Sequence, residues 1–361
     1  MYKNKVRKKN WTLKNLPYYL ISNKILIHIK FRIYNYPENK NILLKKDFVK
    51  HLYGYNFNNP CRNAFFIWKT IELVNVMNTL NISRLKHVHY LHVNNVYILD
   101  ISTLKHLKYL RVTSPYHYCN IINGLKSSLD INKDLKTIIL EEIKIDNKIQ
   151  LKNIEVLKFH GCNFKDVKYL DDITPTALYI DNCEGFNTKN LSSFKSIKGL
   201  SLISNDLITK FKCLSNLSEL ILYECNEIEK LIDMKRLKKL ALYYCEKIEI
   251  LELSNLQLLN IKSCKNIKNL DSLRNLVYIK IIECNNFTYF IWRKQTKRFN
   301  IKDCKNFKSI DLSDLKTIEL LKITGCNLKK IVKPEYITNN INIKSFNNQN
   351  VLIYSDAKFL Y

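Results

Sequence analysis

Cysteine thiols are the side chains whose type and spacing most invite a chemical interpretation in this 361-residue chain. Eight of the eleven cysteines follow one another at intervals of 21, 42, 20, 19, 20, 20 and 22 residues. They are Cys162, Cys183, Cys225, Cys245, Cys264, Cys284, Cys304 and Cys326. Zinc sites and redox enzymes use pairs such as CxxC, which this chain lacks. The spacing instead predicts one thiol per turn of a repeat, buried in a row as small apolar side chains in a reducing compartment.

The segment RLKHVHYLHVNN carries a second group of metal-ligand type, the histidines His87, His89 and His92. Imidazole is the commonest metal ligand in proteins, so three imidazoles in six residues could form a site. In the alternative interpretation they face solvent, on either side of buried residues of a strand. Those buried residues are Val88, Leu91 and Val93. We favour this alternative, and we predict no metal and no cofactor.

Each of the regularly spaced cysteines ends the same phrase, with apolar residues three and five positions before it and, in most repeats, another eight positions before it. Examples are LSELILYEC, which ends at Cys225, and LKKLALYYC, which ends at Cys245. Apolar residues that alternate share one face of a β-strand. The cysteine turns inward where the strand ends and can hydrogen-bond backbone groups left unpaired by the turn. Asn205 takes this position within the 42-residue interval. One repeat cannot bury these residues alone, whereas stacked repeats can.

The recurring phrase L-x-x-L-x-L-x-x-C/N resembles the leucine-rich repeat. This resemblance implies an α/β solenoid with a parallel β-sheet on its concave side. A period of about 20 residues leaves no room for full helices, so we expect extended or 3₁₀ segments on the convex side. We place thirteen anchors at positions 96, 115, 143, 162, 183, 205, 225, 245, 264, 284, 304, 326 and 346. The solenoid is predicted over residues 83–346, with a loop around PYHYCNIINGLKSSLD.

Residues 1–82 do not repeat, and we predict a mixed or helical cap there, with a second cap at 347–361. The segment PCRNAFFIWKTIELVNVMNTL has helical spacing, while the segment from Ile25 to Ile33 fits either a helix or a strand. Leu16, Pro17, Leu20, Ile25 and Leu26 resemble the opening of an F-box. The apolar pair comes one residue late, and His28 stands where a leucine is usual. The resemblance implies an adaptor of a ubiquitin ligase as one alternative function.

Residues between the inward leucines are expected on the concave face, where two groups could bind a partner. Tyrosine is a frequent interface anchor, and Tyr179, Tyr223, Tyr243 and Tyr278 are predicted to form an aromatic patch. A cationic stripe is predicted from Lys262, Lys280, Arg298, Lys302, Lys322 and Lys344. Its lysines recur at intervals of 18, 22, 20 and 22 residues, which is one per turn and predicts a loose line with neighbours about 5 Å apart per strand step.

The formal net charge of +27 has two interpretations. In the first, an A/T-rich coding sequence raises the lysine content without any selection for charge. In the second, the positive charge is selected because the protein binds a nucleic acid or an acidic partner. Arginine is sparse in the stripe, and Tyr223 and Tyr243 lie beside it. We therefore expect the stripe to meet an acidic protein surface, with a nucleic acid as the alternative partner.

The composition and the LxxLxIxxC repeat together resemble the intracellular leucine-rich-repeat gene families of large A/T-rich DNA viruses, especially insect poxviruses. This resemblance implies a role in virus–host interaction. No glycine-rich phosphate loop, HExxH or GxSxG occurs, so we predict no enzymatic activity and no small-molecule substrate. The chain has no run of 18 apolar residues and no signal-peptide pattern. We predict a protein-binding scaffold in the cytoplasm, the host cell's if the protein is viral, without membrane contact.

Overall fold

The computed structural model describes residues 31–34, 43–44, 70–74, 88–94, 104–113, 133–145, 154–167, 174–315, 318–332, 341–346 and 350–355. The chain divides into two compact units, Met1–Pro175 and Thr176–Tyr361, here called unit 1 and unit 2. Among the described residues, no helix combines the length and apolar character needed to cross a membrane.

Unit 1 is built from a ladder of short parallel strands. Its strands are β1 (Phe31–Tyr34), β2 (Leu43–Leu44), β3 (Thr70–Val74), β4 (Tyr90–Asn94), β5 (Tyr109–Thr113), β6 (Thr137–Glu141) and β7 (Val156–His160). Strands β1, β3, β4, β5, β6 and β7 pair in this order, each parallel to the next. Only β2 is antiparallel, and it pairs with β1. In β5 and β6 every second residue is buried, as the alternating pattern predicts.

The strand β3 corrects the expectation of a helix in PCRNAFFIWKTIELVNVMNTL. Ile71 aligns with Leu91 and Leu73 with Val93, so TIELV occupies a strand of the ladder. This short segment fits both periods, and pairing with β1 and β4 satisfies its backbone hydrogen bonds. The mixed or helical cap is therefore not confirmed. The F-box-like residues 16–26, the loop at 115–130 and the anchors Val96 and Pro115 lie outside the described residues.

Unit 2 contains the most regular repeats. Its elements are β8 (Ala177–Asp181), α1 (Thr188–Leu191), β9 (Gly199–Ile203), β10 (Glu219–Tyr223), β11 (Lys230–Ile232), β12 (Lys239–Tyr243), β13 (Ile250–Glu252), β14 (Leu258–Lys262), β15 (Tyr278–Ile282), β16 (Tyr289–Ile291), β17 (Arg298–Lys302), β18 (Ser309–Asp311), β19 (Leu320–Thr324), β20 (Lys330–Val332), β21 (Ile341–Phe346) and β22 (Asn350–Ser355). Strands β8, β9, β10, β12, β14, β15, β17 and β19 form a parallel main sheet.

The other side of the repeats in unit 2 carries five short strands and one helix of four residues in the described part of the chain. Strands β11 and β13 pair with each other, and β16, β18 and β20 form a second small sheet, all parallel. The helix α1 is four residues long, and Asn187 caps it by accepting hydrogen bonds from the amides of Lys189 and Asn190. This confirms the predicted solenoid of parallel strands with extended outer segments and almost no helix in the described residues.

The anchor residues lie inside, as the repeat phrase predicts. All eight regularly spaced cysteines and Asn205 are buried, and the nine described cysteines are free thiols. The inward leucines of the phrase, such as Leu220 and Leu222, are fully buried. Burying one leucine side chain contributes about 1.5–3 kcal/mol. Because each turn adds an anchor and the inward apolar residues of the phrase, the core extends from turn to turn.

The buried anchors satisfy backbone groups at the turns. The Sγ of Cys162 donates to the carbonyl of Leu140, 3.2 Å away. Asn205 does the same with a stronger donor, since its Nδ2 lies 3.0 Å from the carbonyl oxygen of Phe186. Its Oδ1 also accepts from the amide of Ile208 at 3.1 Å. Thiol and amide side chains are thus interchangeable here because both can donate to a carbonyl in the core.

The residue before each anchor from Ile143 to Cys326 has a left-handed backbone. Positive φ angles occur at Glu142, Gly161, Asn182, Ser204, Glu224, Tyr244, Ser263, Glu283, Asp303 and Gly325. This conformation turns the chain so that the anchor points inward. It also directs the backbone amide of this residue towards the next strand, where it forms a hydrogen bond. The amide of Tyr244, for example, donates to the carbonyl oxygen of Lys262 at 2.9 Å. Most of these residues are not glycine, so the ladder of hydrogen bonds compensates for a strain of about 1–2 kcal/mol per residue.

The parallel repeat ends at β19 and does not reach the predicted anchor at position 346. The segment 341–346 is β21, which forms an antiparallel hairpin with β22. It is β22, not β21, that pairs with β19, again antiparallel. An antiparallel hairpin covers the edge of a parallel sheet without a further crossover, which protects the edge strand β19.

Candidate functional site

The outward residues of the main sheet of unit 2 form the candidate site, here called the sheet face. Each main strand has five residues, and its second and fourth residues are buried. The first, third and fifth residues therefore point outward. Parallel pairing keeps the strands in step, so Tyr223 aligns with Tyr243, and Tyr243 with Lys262. Three rows of side chains consequently run across the strands, one for each outward position.

A compact group on the fifth-position row is here called the tyrosine cluster: Tyr223, Tyr243, Tyr244 and Lys262. The ring centroids of Tyr223 and Tyr243 are 6.1 Å apart. Tyr244 lies beyond the strand end and meets the Tyr223 ring edge-on, at 5.3 Å. The Nζ of Lys262 lies 5.2 Å from the centroid of the Tyr244 ring. Aromatic edge contacts and a cation over a ring are each favourable, so the four side chains form one ordered surface.

A hydrogen bond fixes one member of the tyrosine cluster. The Nδ2 of Asn260 donates to the hydroxyl of Tyr243 at 2.8 Å. The interaction with the Tyr244 side chain raises the pKa of the Lys262 ammonium above its ordinary value. The cluster therefore presents three aromatic rings beside one cation.

The structure divides the predicted aromatic patch. Tyr223 and Tyr243 are neighbours, whereas Tyr179 is the third residue of β8 and Tyr278 is the first residue of β15. Tyr179 lies two strands from Tyr223, Tyr278 lies two strands from Tyr243, and both are in other rows than these tyrosines. Tyr244 was not among the predicted site residues, because only positions between the inward leucines were expected on the concave face and Tyr244 follows them. The doubled tyrosine in LKKLALYYC was the available signal.

The cationic stripe is not a straight line. Lys262 and Lys302 are fifth-position residues, and Ile282 stands between them. Lys280 and Lys322 are third-position residues separated by Asn300. Neutral side chains therefore separate the lysines within each row, and lysines on consecutive strands stand in alternating rows instead of directly opposite one another. An interval of 18 or 22 residues, instead of 20, moves a side chain into another row.

Ion pairs neutralise part of the stripe. Arg298 binds Glu319, with Nε and Oε2 2.6 Å apart, and Lys302 binds Asp303 at 3.6 Å. Within the described ranges, Lys280 and Lys322 form no ion pair. Lys344 is on β21, which β22 separates from β19. The side chain of Lys344 lies outside the described part. Lys262, Lys280 and Lys322 are thus the cations of the described sheet face that have no carboxylate partner.

A polar network on unit 1 was not predicted. Glu141 accepts hydrogen bonds at 2.8 Å from Arg111 Nε and from the Thr113 hydroxyl. Its side chain is only 12% exposed, so the paired guanidinium offsets a buried negative charge. The hydroxyl of Thr113 also lies 3.3 Å from Nε2 of His92. His92 therefore takes part in this network, and no potential metal-binding group occurs among the described residues. The side chain of His87 lies outside them.

The comparisons with known proteins show weak likenesses. No protein-family model and no curated protein matches the chain. An internalin (InlF) from Listeria monocytogenes str. 4b F2365 is 17% identical with a TM-score of 0.35, over 72% of this chain and 80% of that one. The functional domain of InlJ from Listeria monocytogenes, which includes a cysteine ladder, is 13% identical with a TM-score of 0.30, over 80% and 78%.

A chain of the Toll–Spätzle complex from Drosophila is 14% identical with a TM-score of 0.49. The match covers 76% of this chain and 45% of that chain, so this protein spans under half of its length. The fold assignment rests on this chain itself, on its parallel strands, its buried anchors and its L-x-x-L-x-L-x-x-C/N phrase. These features establish a solenoid of the leucine-rich-repeat type.

Proposed function

We propose that this protein is a non-enzymatic scaffold that binds another protein on the sheet face of unit 2. The observation that carries the proposal is the tyrosine cluster. Rings held by edge contacts and by the Asn260 hydrogen bond lose little conformational entropy when a partner packs on them. Tyrosines at the centre of an interface commonly contribute 2 kcal/mol or more to binding. The cluster is therefore the proposed energetic centre of the interface.

The chemistry of the partner follows from the charges around the tyrosine cluster. Lys262, Lys280 and Lys322 are cations without a carboxylate partner among the described residues, and Lys262 borders the rings. We propose a partner with an acidic surface around an apolar centre. Acidic groups there would speed association and orient the complex, while the rings would supply most of the affinity.

The test compares two pairs of tyrosines with similar geometry. Tyr223→Ala/Tyr243→Ala removes the centre of the tyrosine cluster. Tyr90→Ala/Tyr109→Ala removes the matched pair on unit 1, with ring centroids 5.8 Å apart. The partner is first captured with the wild-type chain from natural host cells and identified, and its affinity for each purified variant is then measured. We expect a loss of at least about tenfold for the first variant and little change for the second.

Two results would contradict the proposal. Unchanged affinity in Tyr223→Ala/Tyr243→Ala would place the interface elsewhere. An equal loss in both variants would show that the effect is not specific to the sheet face of unit 2. Both variants need thermal melts close to that of the wild type, so that unfolding does not imitate lost binding.

The setting of the interaction is part of the same proposal. We propose that the protein acts in the cytoplasm in virus–host interaction, in keeping with the viral repeat families that its sequence resembles. The free, buried thiols support a reducing compartment. The ubiquitin-ligase alternative has less support, because β1 and β3 place parallel strands within residues 1–82, where an F-box implies helices. Microscopy of the tagged protein in infected cells tests the location.

A further inference from the structure

A groove with a volume of about 610 Å³ lies along the edge of unit 2 where the main strands begin. Residues directly before the strands line it, such as Lys198 before β9, Lys238 before β12 and Gln257 before β14. It also includes the turns that lead into these strands. The groove is thus at the strand starts, whereas the tyrosine cluster is at the strand ends.

Positive charge dominates the groove. Lys198, Lys235, Arg236 and Lys238 line it, and no carboxylate does. None of these four cations forms an ion pair within the described part of the chain. Four unpaired cations around one groove repel one another, and an anionic ligand would relieve that repulsion.

On the same edge, just beyond the groove, a lysine charge is neutralised by an ion pair. Lys297 directly precedes β17 and lies 3.8 Å from Glu319, which directly precedes β19. Lysines at the equivalent position within the groove, Lys198 and Lys238, have no such partner. The unpaired charge is therefore local to the groove and does not simply follow from the position before a strand.

The guanidinium of Arg236 is held in place with donors to spare. Its Nη1 donates to Oδ1 of Asn216, and Nδ2 of Asn216 donates to the carbonyl of Lys195 at 3.3 Å. Arginine has five N–H donors in a planar fork, so one such bond orients the group and leaves the others available. An oriented guanidinium is suited to a carboxylate, which it can bind through two parallel hydrogen bonds.

The other half of the groove presents amides. Asn255 and Asn275 line it and donate their Nδ2 to the carbonyls of Lys235 and Ser254, at 2.7 and 2.6 Å. The side-chain amides of Gln257 and Gln295 also line it and have no hydrogen bond within the described residues. A side-chain amide can donate and accept at once, as a peptide group can.

We propose that this groove binds an extended acidic peptide segment. Its carboxylates lie on the cations, and its peptide groups bind Gln257 and Gln295. Single-stranded nucleic acids usually stack their bases on aromatic rings, and no aromatic residue lines the groove. The lining covers about five strand steps, or about 24 Å, which an extended peptide of about seven residues spans. This proposal does not depend on the function proposed for the tyrosine cluster.

The experiment measures binding of a fluorescein-labelled octaglutamate peptide to the full-length protein by fluorescence anisotropy. The groove variant is Lys198→Glu/Arg236→Glu/Lys238→Glu. The control variant, Lys268→Glu/Lys305→Glu/Lys308→Glu, has the same change in net charge at exposed lysines outside the groove. We expect at least about a tenfold weaker affinity in the groove variant and less than a threefold change in the control. Wild-type binding should weaken as salt increases.

Three further arms decide the ligand class. Gln257→Ala/Gln295→Ala keeps the charge and should still weaken octaglutamate binding, because it removes contacts to peptide groups. A (dT)12 oligonucleotide and heparin serve as competitors. Preferential binding of either competitor in the groove would overturn the assignment to an acidic peptide. An equal loss in both charge variants, or no binding of octaglutamate to the wild type, would overturn the site itself. Circular dichroism confirms that each variant is folded.

Discussion

The backbone amide of Cys284 donates a hydrogen bond to the sulfur of Cys304, with N and Sγ 3.3 Å apart. The two residues are anchors of consecutive turns, and both are fully buried. The Sγ of Cys304 lies 3.5 Å from the carbonyl oxygen of Lys302, in its own turn. A single thiol therefore links two turns by accepting from one and donating within the other, which is why this position needs a small side chain able to form hydrogen bonds.

Replacing an anchor by a charged residue should destabilise the solenoid. Cys264 is fully buried, so Cys264→Asp places a carboxylate without a cation in the core. We expect a loss of more than about 3 kcal/mol in the free energy of unfolding, measured in urea. Cys264→Asn should lose only about 1–2 kcal/mol, because Asn205 shows that an amide can fill an anchor position. Equal losses would show that Cys264 is not an inward anchor.

The thiols should differ in reactivity. Burial raises the pKa of the Cys225 thiol to about 12, and burial also raises the pKa of Cys213. The thiolate is the reactive form, and Cys213 is the one described thiol that is only partly buried. Among the described thiols, we expect iodoacetamide to label Cys213 first at pH 8, and Cys225, Cys245 and Cys284 only after denaturant is added. Fast labelling of these three in the native protein, detected by mass spectrometry, would contradict the buried row.

The stability of the protein should fall in alkaline solution. The folded pKa of Cys225, about 12, lies above its ordinary value of 9.0. Folding therefore favours the protonated thiol, and this contribution is complete below about pH 9 and is lost as the pH rises towards 12. Urea titrations at pH 8 and pH 10.5 should show a smaller decline for Cys225→Ala than for the wild type. An identical decline would indicate that other groups cause the loss.

The two glycines that precede anchors should tolerate alanine to different degrees. Gly161 and Gly325 both have positive φ, so Ala strains the backbone at either position by about 1 kcal/mol. A Cβ on Gly161 would come no closer than 3.5 Å to Glu142 Cγ, which is ordinary contact. A Cβ on Gly325 would collide with Oδ1 of Asp303 and displace this carboxylate from Lys302. We expect Gly325→Ala to unfold at lower urea than Gly161→Ala. The reverse order would contradict the turn geometry.

The lysines of the sheet face should affect partner binding only where they are unpaired. Lys280→Glu/Lys322→Glu reverses two unpaired charges, and Lys268→Glu/Lys308→Glu makes the same change in net charge outside the sheet face. We expect the first variant to weaken binding of the captured partner about tenfold and the second to have little effect, as measured by surface plasmon resonance. Lys247 is unsuitable as a control, because it binds Glu227 at 2.7 Å. Equal effects would leave only bulk charge as the explanation.

The sequence by itself determined the repeat, the strands and the buried anchors. The alternation in phrases such as LSELILYEC specifies which residues face inward, since a strand has a period of two. The position of each lysine relative to its anchor also specified its row. Lys262 stands two residues before Cys264, whereas Lys280 stands four residues before Cys284. Intervals along the chain predicted one lysine per turn, whereas positions within the phrase specify the two alternating rows.

Only the tertiary structure decided which side chains meet across the turns. Tyr244 contacts Tyr223 because the left-handed turn after β12 directs its ring towards the neighbouring repeat, and the doubled tyrosine in the sequence does not specify this direction. The pairing of β22 with β19 likewise depends on the open edge of the last repeat. The strand β3 forms because the neighbouring strand β4 offers it a partner. The groove around Arg236 is formed by residues about 20 positions apart. Such contacts depend on the register between turns, which backbone hydrogen bonds set.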